Sequence, residues 1–298
     1  MRILVTGATG FIGLQLVRRL HEAGHGVIAW ARDEIKARGV LGPDVQLVSA
    51  GSSIDEQIGR ANAVINLAGE PIFGARWTPA RKRAIVESRI NLTGAIATAI
   101  SQSASRPSVF ISTSAVGYYG DRGGEIVADD APPGNDFLAT VCRDWEAAAL
   151  HASGTRVFIP RLGIVLGKNG GALPNMVMPF RLGIGGPIGS GEQYVPWIHL
   201  DDLLAIIFGA LEDDRMSGPM IAAAPNPVTS SELAKVIGAV LHRPSFMPLP
   251  ALALRVMLGE AAAMLLSGQR VRPRRLEELG FKWRFSTIES ALSDLLRK

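Results

Sequence analysis

Three glycines at fixed spacing are the first residues that suggest chemistry. The run Thr6-Gly7-Ala8-Thr9-Gly10-Phe11-Ile12-Gly13 follows the apolar stretch Ile3-Leu4-Val5 and opens a segment with helical spacing. There, Gly7 permits a tight turn, Gly10 lets the backbone approach a pyrophosphate, and Gly13 lets the helix pack closely on the strand. The helix N-terminus attracts the anion. Thr9, Phe11 and Ile12 fill out the same loop. The bland alternative is a turn with helix-packing glycines; the preceding strand and following helix favour a dinucleotide. The second strand ends Ala29-Trp30-Ala31-Arg32. A carboxylate at that end would hold the ribose 2′-hydroxyl of NAD, whereas Arg32 suits a 2′-phosphate, so NADP(H) is the expected cofactor. Asp33, one place on, is the counter-indication, and a solvated surface arginine is the alternative reading of Arg32.

Other chemistries find less support. His21, His25, His151, His199 and His242 show neither HExxH nor paired ligand spacing, so no metal is expected. Gly163 to Asn169 approaches a P-loop around Gly167-Lys168 but lacks one spacer residue and the following Ser/Thr. No GxSxG elbow is present. The single cysteine, Cys142, excludes an intrachain disulfide and a cysteine-rich metal cluster. It reads as a small buried residue rather than a nucleophile, and it fits a reducing compartment, with the cytoplasm as the expected location.

The elements that would position these residues are strands alternating with helices. Strand-length apolar runs recur at Ile3-Leu4-Val5, Val27-Ile28-Ala29, Val45 to Val48, Ala63 to Leu67, Val109-Phe110-Ile111 and Val157-Phe158-Ile159. Runs apolar on both faces are what a parallel sheet covered by helices requires. Helical spacing spans Phe11 to Ala23, about 79–103 and about 137–153. The expectation is a doubly wound α/β sheet over residues 1–165, with later segments contributing. From Gly167 to Gly191, glycines crowd together with Pro174, Pro179 and Pro187, a loop-rich texture. Helical patterns then recur at 201–211, 230–241, 251–266 and 287–296. Residues 166–298 therefore read as a smaller, mostly helical substrate lobe over the strand ends.

Composition agrees with a folded protein: 298 residues, 47% apolar and 19% charged. The net charge of +4 is spread among interleaved acids and bases, so no nucleic-acid partner is expected. Ala251 to Leu266 is interrupted by Arg255, Gly259 and Glu260, which argues for a packed helix or helical pair and against a membrane span, so no membrane partner is expected. The N-terminus lacks the apolar core and cleavage site of a signal peptide.

TGATGFIG, Asn66-Leu67-Ala68-Gly69, STSAVGYYG at Ser112 to Gly120, and Arg161-Leu162-Gly163-Ile164-Val165-Leu166-Gly167 together resemble the extended or atypical short-chain dehydrogenase/reductase superfamily. NLAGEPI with Arg76-Trp77, FRLGIGGPIGSGEQYVPWIH and GQRVRPRRLEELGF bring the resemblance closer to NAD-dependent epimerase/dehydratase-like proteins of the bacterial YfcH type. The resemblance implies a Rossmann-like fold, an NADPH cofactor and a C-terminal helical module at about 248–296. It implies cofactor contacts from Ala31, Arg32, Leu67, Ala68, Gly69, Arg89, Ser112, Arg161 and Val165. A helix-surface salt-bridge partner is the alternative reading of Arg89. Dimerisation through the helices at 79–103 and 137–153 is a further implication, giving a possible homodimer.

Enzymes of this superfamily usually pair a tyrosine acid/base with a lysine four residues later, because a phenol titrating near 10 needs a cation to ionise usefully. Tyr118, Tyr119 and Tyr194 have no such lysine. Anchoring on Trp145-Glu146 places the pair at Leu138 and Cys142, so both functional groups are missing. Ser114 retains the usual serine position. Tyr118 or Tyr119 would replace the phenol from another direction, with Glu70, Lys168 or His199 as other proton carriers; each also has a packing role as its alternative. The stretch Gly183 to Gly191, with Gln193, Tyr194 and Trp197, reads either as the floor or lid of a substrate pocket or as a tie between lobes. Arg270, Arg272, Arg274 and Arg275 read as a solvated helix start. The leading expectation is an NADP(H)-dependent oxidoreductase or epimerase-like enzyme for a small molecule. The rival is a non-catalytic NADPH-binding structural or regulatory protein.

Overall fold

Seven parallel strands form the centre of the computed structural model, which describes residues 1–49 and 51–297. In chain order they are β1 (Arg2–Thr6), β2 (Gly26–Ala31), β3 (Gln46–Ser49), β4 (Ala63–Asn66), β5 (Val109–Ser112), β6 (Arg156–Leu162) and β7 (Gly218–Ala222). Neighbours run β3-β2-β1-β4-β5-β6-β7, and the short strand Ser114–Ala115 pairs with the end of β6. Strand order reverses between β1 and β4, which opens a crevice at their carboxyl ends, the usual ligand position in such sheets.

Alternation along each strand supplies both faces. Ile3 and Val5 face one layer with Ile65 and Ile111, packed on α1 (Phe11–Glu22) through Leu16, Val17 and Leu20. Leu4, Val64, Phe110 and Ile159 face the other layer. There they meet α3 (Ile54–Ile58), α4 (Pro79–Gln102) and α5 (Phe137–Leu150), following α2 (Glu34–Leu41) in the chain. Burying each large aliphatic side chain contributes about 1.5–3 kcal/mol, so both faces hold the sheet.

A second core belongs to the later chain. It joins α6 (Leu173–Arg181), α8 (Ser230–Leu241) and α12 (Ile288–Leu296) through Val177, Phe180, Leu233, Ile237, Leu292 and Leu295. Between the cores run α7 (Leu200–Glu212), packed on the main sheet, and the short strands 164–167, 170–171 and 197–199. The smaller lobe is completed by α9 (Ala251–Leu258) and α10 (Ala263–Leu266), while α11 (Arg274–Glu278) packs Leu276 into the main-sheet core beside β7.

Three local features depart from the sequence reading. Leu173–Arg181 is helical despite its prolines: Pro174 sits in the first turn, where no intrahelical N–H bond is lost, and Pro179 lies close to the C-terminal end. β7 opens Gly218-Pro219, tolerable because it pairs on one side only, with β6. The pattern at 251–266 breaks at Gly259 (φ 61°) into two helical pieces, the pair among the expected alternatives, but only Leu254, Ala261 and Ala262 along it are buried, so it is less packed than expected. No helix among the described residues is long and apolar enough to cross a membrane.

Candidate functional site

The turn after β1 is closed to any side chain larger than hydrogen at two glycines. Gly7 has φ 70°, and a Cβ there would come within 2.7 Å of the Leu67 carbonyl carbon. A Cβ on Gly13 would lie 2.1 Å from the Gly7 carbonyl oxygen. The loop is therefore pressed against the end of β4 and against α1. Gly10 caps α1 with no side-chain hydrogen bond, and the first turn carries no acidic residue. Thr9 and Gly10 are exposed, so the helix's open N–H groups and positive dipole end meet the crevice without competition from protein anions. Phe11 and Ile12 are half-buried, and Phe11's ring packs against Gly167, Gly170 and Gly171, whose missing side chains make room for it. Val165, in the same strand Ile164–Gly167, is half-buried against the main core. These residues fit a dinucleotide: a cradle that a Cβ would fill, at an open helix end.

At the end of β2, Ala31 is buried and Arg32 is exposed, with no protein partner for its guanidinium among the described residues. Asp33 is already engaged. Its carboxylate caps α2, accepting from the Lys36 N–H at 3.0 Å. Leu67 and Ala68 are half-buried beside Gly7, and Gly69 is exposed against Arg89. Arg89 is 8% exposed; it donates to the carbonyls of Glu70 (3.0 Å) and Ile85 (3.3 Å) and lies over the Trp145 ring at 5.2 Å. No carboxylate pairs with it among the described residues, and burial depresses its pKa. The surface salt-bridge reading of Arg89 is thus replaced by a buried cation lacking a counter-charge, a costly arrangement unless an anion meets it.

Four expected site residues are engaged within the protein instead. Arg161 is 3% exposed; its Nε and one terminal nitrogen grip both Glu146 oxygens at 2.8 Å, and the other donates to the Tyr119 hydroxyl (2.8 Å) and the Asp129 carbonyl (2.9 Å). Its guanidinium donors are thus engaged within the protein. Ser112 is 1% exposed, accepting from Asn66 Nδ2 in a network that also joins Thr6, Thr93 and Trp145. Its side chain braces the strand ends. Ser114, also buried, donates to Glu146 at 2.7 Å. Tyr119 is fully buried, and burial raises its pKa, the reverse of what an acid/base at neutral pH requires. Glu146 was the residue that sequence reading used only as an anchor; its partners lie 15 and 32 positions away, too far apart for a local motif to show them.

Tyr118 stacks on the Arg161 guanidinium at 3.6 Å and lines a cavity of about 320 Å³ with Asp129, Asp130, Pro219 and Arg275, beside β7. Leu138 and Cys142 occupy one side of α5 facing Gly117, whose Cβ would sit 3.6 Å from Leu138 Cβ and 3.9 Å from Cys142 Sγ. Burial, reinforced by Glu146, pushes the Cys142 thiol up to about 12, so it stays protonated. His199 caps α7 through Nδ1 (3.0 Å from the Asp201 N–H), stacks on Phe285 at 3.8 Å and faces Asp294.

The glycine stretch at 183–191 ties segments together. A Cβ at Gly186 would strike the Met247 carbonyl at 2.0 Å, one at Gly191 the Ser231 hydroxyl at 2.0 Å, and the Gly189 N–H donates to the Leu249 carbonyl. Of the arginine cluster, Arg272 pairs with Glu277, Arg274 with Asp130 and Glu278, and Arg275 bonds the Pro219 carbonyl.

A parallel sheet that reverses order beside a glycine cradle at the first βα turn defines a dinucleotide-binding α/β protein of the Rossmann type. The chain belongs to the NAD dependent epimerase/dehydratase family, which matches residues 3–221; a domain of unknown function, DUF1731, matches residues 249–295. It is 41% identical to the chloroplastic epimerase family protein SDR39U1 homolog of Arabidopsis thaliana, over 100% of this chain and 87% of that protein. It is 38% identical to epimerase family protein YfhF of Bacillus subtilis, over 99% and 98% of the two chains. The crystal structure of human epimerase family protein SDR39U1 with NADPH superposes with a TM-score of 0.89, at 36% identity and 99% coverage of both chains.

Proposed function

We propose that this protein is an NADP(H)-binding oxidoreductase or epimerase-like enzyme that acts on a small molecule between the strand ends and the C-terminal lobe. The glycine cradle at the open end of α1 carries this reading. In it, Gly7, Thr9, Gly10, Phe11, Ile12 and Gly13 hold the pyrophosphate, and Ala31 and Arg32 meet the 2′-phosphate. Leu67, Ala68, Gly69 and Arg89 line the middle of the cofactor, with Arg89 gaining the anionic neighbour it lacks. Val165 lies towards the nicotinamide. Residues 1–165 then serve as the dinucleotide-binding part, with α7 and β7 of the later chain contributing to it, and the rest of 166–298 as the substrate lobe. The NADPH in the human relative supports the same cofactor.

When bound, the nicotinamide supplies hydride transfer; the chain orients it and excludes water. For proton handling, Ser114, Tyr118 and Tyr119 are unequal. Ser114's proton is held by Glu146 and Tyr119's hydroxyl by its buried partners, leaving Tyr118 as the phenol without a protein hydrogen bond among the described residues. The rival reading, a non-catalytic NADPH-binding protein, is favoured by one observation: Leu138 and Cys142 stand where proton-transfer groups are expected.

Calorimetric titration with NADPH and NADH tests the cofactor. NADPH is expected to bind tighter, and Arg32→Ala to lose about 10- to 100-fold in NADPH affinity with little change for NADH, the scale of one or two charge-assisted hydrogen bonds. Equal binding of the two cofactors overturns the assignment. Substrate-dependent NADPH oxidation across a carbonyl and sugar panel separates enzyme from binding protein.

A further inference from the structure

Exposed apolar side chains are concentrated on one part of the smaller lobe. Among the described residues, fifteen large hydrophobics are exposed, and nine fall within two short segments: Met178, Leu182 and Ile184, then Phe246, Met247, Leu249, Leu252, Val256 and Met257. The segments are neighbours in space. The Met247 N–H donates to the Gly185 carbonyl at 3.1 Å, the Leu249 N–H to the Pro187 carbonyl at 2.9 Å, and Ile188 bridges Leu249. Phe246 (76% exposed) and Leu252 (73% exposed) project into solvent rather than lining a groove.

Charge singles out the occupant. Residues 176–186 and 242–258 contain Arg181, Arg243 and Arg255 and no aspartate or glutamate. All three arginines are exposed, and none has a side-chain partner among the described residues. Bulky apolar side chains with free cations beside them match the boundary between anionic headgroups and acyl chains. A second copy of the same surface fits less well, because a two-fold contact would set three arginines against three arginines, while Glu260 at the edge of the face is already paired with Lys82 and Asp121 lies beyond it. Projecting side chains also suit insertion into a headgroup layer better than capture of a helix in a groove.

We propose that this face, built from the end of α6, the 246–249 segment and α9, docks the protein peripherally on an anionic lipid surface. Lying on a bilayer differs from crossing it and needs no spanning helix. The docking does not depend on the cofactor assignment.

The test is vesicle flotation of the full chain at low salt, with phosphatidylcholine alone and with phosphatidylcholine containing about one-third phosphatidylglycerol. Binding is expected to the anionic vesicles only, weakening with added salt. Leu252→Glu/Val256→Glu should abolish flotation, and Arg243→Ala and Arg255→Ala should each lower the partition coefficient about fivefold. These side chains are exposed, so circular dichroism and the melting temperature should be unchanged. Three outcomes overturn the proposal: no flotation with anionic vesicles, flotation that survives the double variant, or equal binding to neutral vesicles. Sedimentation showing self-association that Leu252→Glu/Val256→Glu abolishes, without flotation, assigns the face to a second copy instead.

Discussion

Arg161 and Glu146 form a two-pronged ion pair whose side chains are 4% and 6% exposed, and the pair fixes Ser114, Tyr118 and Tyr119 around it. Removing one partner strands a charge in a dry interior, so Glu146→Ala should destabilise the protein by about 3–5 kcal/mol in urea unfolding. Replacing Arg161 by Met in the same chain should recover part of that loss, since no buried charge then remains. The sequence displayed every one of these residue types but not their mutual engagement. Arg161 and Ser112 match family strings, and whether a matching side chain is spent internally or offered to a ligand depends on neighbours distant in the chain. Arg89 shows the converse: its isolation from carboxylates emerges only when α4 is laid beside Gly69 and Trp145.

Individual elements were legible where local chemistry decides them. The apolar runs and the glycine turn marked six strands and α1, because a doubly covered parallel strand must be apolar throughout and a cradle must lack side chains. The helix at 173–181 was hidden by its prolines, which only their positions within the helix make harmless. Glycines inside helices make the distinction testable. Gly94 in α4 has nothing within 4 Å of a built Cβ, so Gly94→Ala should stabilise by about 0.5–1 kcal/mol through helix propensity. Gly13→Ala carries the same propensity gain but drives a methyl to 2.1 Å from the Gly7 carbonyl. It should therefore lower the melting temperature and weaken NADPH binding together, as thermal melts with and without cofactor would measure.

At the scale of the whole molecule, His199 joins the strand 197–199 and α7 to the smaller lobe through Phe285 and Asp294. Burial, its largest influence, lowers its pKa from the ordinary 6.5, against the pull of Asp201, Asp294 and Asp202. The unfolded chain then binds a proton below about pH 6.5 that the folded state resists, so stability falls as pH drops from that value. Urea midpoints at pH 7.5 and 5.5 should differ less in His199→Asn than in the natural protein. The sequence by itself determined the fold class and the cofactor cradle, since both rest on periodicity and on glycines adjacent in the chain. It also flagged Asp33 as a rival to Arg32 without resolving them. Asp33 caps α2 through the Lys36 N–H, a local contact three residues on; only the tertiary structure turned the 183–191 glycines into a seam and left the 246–257 segment bare. Those outcomes depend on which groups meet across long sequence separations, and burial and pairing are properties of that meeting.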